Sequence, residues 1–157
     1  MELVELGRLD RRLSSLRLPS PVQLARVRAS VAREGVRTPV IASTAVQAGK
    51  LVLLDGFKRV RVLEEREEPA VAVTLMALDV AASAAAILRC NAPHRGLCEL
   101  EEAWIVKALC REHKVAQVEV SRLLGRHKSW VCRRLKLAES LEEVIQDDIR
   151  LGLLSST

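Results

Sequence analysis

Residues Gln117–Leu137 read QVEVSRLLGRHKSWVCRRLKL. Val120, Leu123 and Leu124 recur at helical spacing before Gly125, and Val131 and Leu135 repeat that spacing after it. The stretch therefore predicts two helices whose apolar faces meet across a tight turn. Gly125 stands where a short connection between helices needs left-handed backbone angles, and Ser129 in the following first turn suits a helix start. The expectation is a helix-turn-helix over 117–137.

Charge on the remaining face points to a partner. Between Val115 and Leu137 the cations are Arg122, Arg126, Lys128, Arg133, Arg134 and Lys136, against the single acid Glu119. Attraction to phosphate would dominate any encounter with duplex DNA. If the second helix enters a major groove, Lys128, Ser129 and Arg133 near its start reach base edges, while Arg122 and Arg126 hold phosphates. Gln117, Trp130 and Arg134 complete the expected DNA-contact set. The competing reading is an ordinary helical hairpin with a solvated basic face.

The rest of the composition agrees with an anionic partner. The chain has 157 residues, 49% of them hydrophobic, a net charge of +5 and a pI near 9.4, enough apolar content for one domain or two small ones. The charge is segregated: residues 8–37 carry eight arginines against Asp10 and Glu34, whereas 139–148 is acidic. No run is apolar and long enough for a membrane span or signal peptide, so a cytoplasmic protein is expected. Cys90, Cys98, Cys110 and Cys132 form no close pair and have no histidine at a zinc-ligand spacing; they read as reduced, mostly buried thiols, and no metal site is expected. With only Phe57, Trp104 and Trp130 as aromatics, a surface that stacks single-stranded bases is not expected.

In chain order, residues 1–18 alternate apolar and basic side chains without a clear period and read as a basic N-terminal arm. Ser20-Pro21 starts a helix over 21–34 that stops near Gly35. VIAST, the turn AVQAGK and LVLLD predict a strand hairpin over 40–55. A short helix follows from Phe57 and is closed by Pro69. A strand at 71–75 and a helix at 80–88 lead to a turn at Asn91, Ala92 and Pro93. From Glu99 onward every predicted element is helical, the last spanning 141–149.

Asp55, Gly56, Phe57, Lys58 and Arg59 place a glycine after a buried strand and two cations at a helix start. That is phosphate-binding chemistry, since first-turn amides and positive side chains point the same way; spacing alone equally allows a plain strand-to-helix turn. The succession of PVIAS, GKLVLLDGFKRVRV, LRCNAPHRGLCELEEA and the helix-turn-helix resembles the ParB-type partition proteins, from roughly Leu18 to Leu154. In that family a Gly-Glu-Arg-Arg motif grips the triphosphate of CTP, and Gly56, Phe57, Lys58 and Arg59 fall on it. A second motif, Glu-Asn-x-Gln-Arg followed by Glu-Glu-Ala, falls on Cys90–His94 and on Glu101, Glu102 and Ala103.

What the resemblance implies is an α+β chain: a ParB/sulfiredoxin-like α/β nucleotide-binding domain over 19–92, then an all-helical DNA-binding domain over 93–157. It implies CTP with Mg2+ as the ligand, held by Thr38, Gly56, Phe57, Lys58, Arg59, Asn91, His94 and Arg95. CTP would act as a clamp switch on a specific, twofold DNA site, in partition or related regulation. A partner ATPase and a nucleotide-dependent homodimer of the N-terminal domain belong to the same picture, with the chain otherwise monomeric and shorter than its relatives. The departures are Phe57 for glutamate, Lys58 for arginine, Cys90 for glutamate, His94 for arginine, and Arg134 where the family has an apolar residue. Lysine keeps charge but loses the bidentate fork, and a thiol is a poor ligand for magnesium, so at most weak CTP hydrolysis is expected. No catalytic residue is assigned. Phe57 stands in place of the sulfiredoxin cysteine, which removes that nucleophile, and no carboxylate-histidine cluster suggests a nuclease. The alternative function is a helix-turn-helix transcriptional regulator or mobile-element accessory protein that binds no nucleotide.

Overall fold

Branched apolar residues at alternate positions make the strands. In β5 (Ala70–Met76) Val71 and Val73 are buried while Thr74 is exposed, the period-two pattern of a half-buried strand. Leu51–Leu54 of β4 (Lys50–Asp55) are instead buried at four successive positions, as in a strand hidden on both faces. The structure, a computed structural model, describes residues 1–47, 49–91 and 97–154. It divides into two compact units, Met1–Ser14 with Ser20–Asp79, and Ser15–Pro19 with the chain from Val80 onward.

The first unit is a five-stranded mixed sheet with two helices. β1 is Glu2–Glu5, β2 Leu9–Asp10 and β3 Val40–Gln47, and the spatial order is β1-β5-β3-β4-β2. β3 and β5 run parallel, with Val40 beside Val73, and β3 pairs antiparallel with β4. α1 (Pro21–Glu34) begins on Ser20, whose Oγ accepts from Gln23 N, and ends at Gly35 with φ +67°, as the proline start and glycine stop predict. It buries Val31 and packs Leu24 and Val27 on a core of Val40, Leu53, Val60, Val62, Val71 and their neighbours.

The N-terminal segment corrects the expectation of an arm. Val4, Leu6, Leu9 and Leu16 are buried, β1 pairs with β5, β2 pairs with β4, and Leu6 N donates to Pro69 O at 3.1 Å. Strands of four and two residues separated by one short 3-10 turn are too brief to show a period, which is why the pattern looked irregular. The arginines Arg8, Arg11 and Arg12 sit on the outside of this structured segment.

The second unit is helical: α3 (Val80–Asn91), α4 (Glu99–Lys107), α5 (Gln117–Leu124), α6 (Lys128–Ser140) and α7 (Glu143–Arg150). A wider π-type turn, Ala108–Glu112, continues α4. Its first helix lies before the boundary expected at residue 92, because Ser83–Leu88 of α3 are buried at every position, as suits a helix covered all round. Trp104 of α4 is buried, and its Nε1 donates to Gln146 Oε1 at 2.8 Å; Gln146 Nε2 donates in turn to the carbonyls of Ala138 and Leu141. A buried amide satisfied on both sides in this way ties α7 to the end of α6 and to α4. Among the described residues no helix is long and apolar enough to cross a membrane.

Candidate nucleic-acid interface and nucleotide site

Gly125 ends α5 at φ +61°, ψ +37°, and the two bonds Gly125 N to Arg122 O and Arg126 N to Ser121 O close the helix, the glycine-terminated cap that its position predicted. Val120, Val131 and Leu135 are buried where the two helices pack, with Leu123 and Leu124 half-buried. Ser129 falls in the first turn of α6, and the helix is capped by His127, whose Nδ1 accepts from Ser129 N at 3.2 Å and lies 2.8 Å from Ser129 Oγ.

The expected DNA-contact residues separate into two groups. Arg122, Arg126, Lys128, Ser129 and Arg133 are exposed, together with Lys136. Arg122 is paired with Glu119 at 3.0 Å, and Arg126 lies over the Trp130 ring, 5.2 Å from its centroid. Among the described residues no carboxylate pairs with Lys128, Arg133 or Lys136. Gln117 and Trp130 are half-buried, Gln117 beside Cys132 and Leu135 in a shallow pocket.

Arg134 stands apart from the other cations of the expected DNA-contact set. Its guanidinium donates to Glu102 at 2.7 Å and to Glu99 at 3.1 Å, and lies 5.2 Å from the centroid of Trp130. Only 15% of the side chain is exposed. It is a packing and pairing residue between α6 and α4, and this accounts for a cation where the helical pair needs contact: two carboxylates of α4 neutralise it.

At the start of α2 (Phe57–Glu65) Gly56 has φ +96°, ψ +18°. A Cβ there would lie 2.5 Å from Val40 Cγ1 and 2.9 Å from Val40 Cβ, so only glycine fits between β4 and α2. Phe57 is half-buried against the core, and Lys58 is half-buried. Arg59 donates to the carbonyls of Thr38 and, at 3.0 Å, Pro39, and pairs with Asp55 at 2.8 Å. Thr38, Gly56, Phe57, Lys58 and Arg59 are thus brought together in the first unit, with Arg59 holding the turn that enters β3. Asn91 belongs to the second unit, where its Nδ2 donates to Ile87 O at 2.7 Å. His94 and Arg95 lie outside the described residues. Among the described residues no three His, Cys, Asp or Glu side chains gather as metal ligands.

The cysteines differ from the buried set expected. Cys98 and Cys132 are exposed, Cys90 and Cys110 half-exposed, and all four are free thiols. Cys98 precedes α4 at its N-cap, and Cys132 lies on the outward side of α6. Burial of the sulfur pushes the Cys98 and Cys110 thiols above their ordinary value.

Sequence reasoning missed His127 and Glu99, and the pairing of Glu102 with Arg134. His is outside the usual N-cap set of Ser, Thr, Asp and Asn, and the carboxylates stand more than thirty residues from Arg134.

These elements, a mixed sheet with its helices followed by a helical unit, form an α/β fold shared with partition proteins. The chain is similar to the C-terminally truncated chromosome-partitioning protein ParB from Caulobacter crescentus complexed with CTP-gamma-S, at 22% identity and a TM-score of 0.52, covering 99% of this chain and 87% of that one. The same protein complexed to the centromeric parS site matches at 20% identity and 0.52, covering 99% and 80%. A Pnob8-like ParB-N domain matches at 15% identity and 0.57, covering 99% and 69%. At these identities the likeness is one of fold. No protein-family model matches the sequence, and no curated protein matches it.

Proposed function

We propose that this chain is a sequence-specific duplex DNA-binding protein of the ParB type, in which α5 and α6 act as a helix-turn-helix and α6 reads the major groove. The observation that carries the reading is the exposed, unneutralised row of Lys128, Arg133 and Lys136 on α6, beside Arg126 at its start. Cations on the outward face of a helix that follows a tight turn suit phosphate attraction and base-edge donation together. Lys128, Ser129 and Arg133 are the readers, and Arg122 and Arg126 hold phosphates. The site is twofold, occupied by two copies, and the protein acts on the nucleoid or a plasmid within the cytoplasm, with a partner ATPase where the role is segregation.

The nucleotide proposal rests on Gly56. The fold likeness includes a ParB complexed with CTP-gamma-S, and here the glycine fixes a close turn ahead of Lys58 and Arg59. CTP at the start of α2 would shift the equilibrium between open and clamped forms by the difference of its affinity for the two. Magnesium would ride on the nucleotide's own phosphate oxygens, the ligands that cation prefers.

A second reading, a regulator that binds no nucleotide, is favoured by one observation: Arg59 is already satisfied by Thr38, Pro39 and Asp55. Calorimetric titration of CTP, with ATP and GTP as controls, separates the two. Binding of CTP that is lost in Arg59→Ala supports the switch; no binding with or without DNA leaves the regulator. For DNA, selection from a random duplex pool should return a site with a preferred sequence. Arg126→Ala should reduce the salt slope of binding by about one, the mark of a lost phosphate contact, whereas Lys128→Ala and Arg133→Ala should relax the preference at the base pairs they read. Equal affinity for every duplex would refute specific reading.

A further inference from the structure

We infer that His127 is itself a DNA-contact residue, a neutral hydrogen-bond donor to a phosphate oxygen at the start of α6; the inference rests on the DNA-binding reading above. The argument is one of tautomers. A backbone N–H can only donate, and Ser129 N donates to His127 Nδ1 at 3.2 Å, so Nδ1 must present its lone pair. In a neutral imidazole with Nδ1 unprotonated, the ring's one proton is on Nε2. The Ser129 hydroxyl, 2.8 Å from the same nitrogen, is then a second donor to it and holds the ring in place.

An aspartate in this position would offer acceptors only, and the hydroxyl of a serine cap would be short and free to rotate. An imidazole caps with one nitrogen and carries the opposite N–H outward. His127 is exposed, and it lies between Arg126 and Lys128, both exposed, on the helix start that the reading places against the duplex. Two neighbouring cations draw a phosphate to this point, and the fixed Nε2–H meets it as a directional donor. The residue thus couples two tasks: the bond that starts the reading helix also sets which nitrogen faces the DNA.

The test is His127→Gly, which removes the side-chain donor and puts in its place a residue that N-caps tolerate at little cost in stability. Duplex affinity of the full chain should fall about ten- to a hundredfold, the loss of one hydrogen bond to a charged group, with the salt slope unchanged and the melting temperature nearly so. Arg126→Ala, by contrast, should lower the slope. Nitrogen-15 correlation spectra of the imidazole at pH 8, where a free histidine is neutral, should show the Nε2–H tautomer before DNA is added. Affinity equal to wild type, a fall in melting temperature that accounts for the lost affinity, or an Nδ1–H tautomer would each overturn the inference while leaving DNA binding standing. Failure of the wild-type chain to bind any duplex would instead overturn the underlying reading and this inference with it.

Discussion

Replacing Gly56 by alanine tests whether the β4–α2 turn is as tightly determined as its geometry indicates. The added Cβ would sit 2.5 Å from Val40 Cγ1, 2.9 Å from Val40 Cβ and 3.3 Å from Arg59 Nε, where carbon pairs rest at about 3.5–4.0 Å. Val40 is fully buried and its backbone is held between β4 and β5, so it cannot retreat without moving the sheet. Forcing an L-residue to a positive φ of +96° adds roughly 1–2 kcal/mol, and overpacking about 1–3 kcal/mol more. Loss of unfolded-state freedom on going from glycine to alanine returns about 0.4–1 kcal/mol. The net expectation is a loss of roughly 2–4 kcal/mol, a large part of the ~5–15 kcal/mol of a typical domain. Urea denaturation followed by circular dichroism measures it. Val40→Ala removes the closest contact, so the double variant should be less destabilised than the sum of the singles by about 1 kcal/mol. A Gly56→Ala loss below about 0.5 kcal/mol, the level of an indifferent surface change, or strict additivity with Val40→Ala, would refute the steric account.

Three further perturbations address pairing and titration. Arg134→Ala leaves Glu102, whose side chain is 14% exposed, without its cation, and should cost about 1–3 kcal/mol; Arg134→Leu with Glu102→Leu should recover most of that loss in thermal melts, since an apolar pair leaves no buried charge. Arg12 holds the Asp10 carboxyl below its ordinary value. The folded state therefore binds that proton less readily than the unfolded chain, and the pair's contribution is complete above the unfolded carboxylate value and lost as pH falls through the lowered folded one. Asp10→Asn should accordingly lower stability slightly at pH 7 and not at all in the acid limit, measured by melting curves across pH. Cys98 is exposed but its thiol is pushed up by burial of the sulfur, so it should be alkylated at pH 7 more slowly than an unstructured cysteine, because the thiolate is the reactive form; mass spectrometry of the labelled peptides reads the rate.

What could be read from the sequence was local. Ser20-Pro21 and Gly35 bracket α1 because a cap, a fixed φ and a left-handed stop act on adjacent residues, and Gly125 marks the α5–α6 turn for the same reason. Gly56 was legible as a tight turn, though not that Val40 is what makes it obligatory. The strands of residues 2–10 were not legible, because a four-residue and a two-residue strand owe their existence to β5 and β4, about seventy and forty residues away. Charge shows the same limit. Six cations across 117–137 read as one basic face, yet Arg134 is turned to Glu99 and Glu102, Arg122 is paired with Glu119, and Arg126 lies on Trp130. The sign of a side chain is written at its own position, whereas its partner is chosen by packing between elements distant in sequence. A salt slope computed from six phosphate contacts would therefore exceed what this interface delivers. Arg134 is held by two carboxylates and Arg122 by one, so on the proposed DNA-binding reading the slope should be set by fewer cations than the six of the stretch, with Arg126 the first to test.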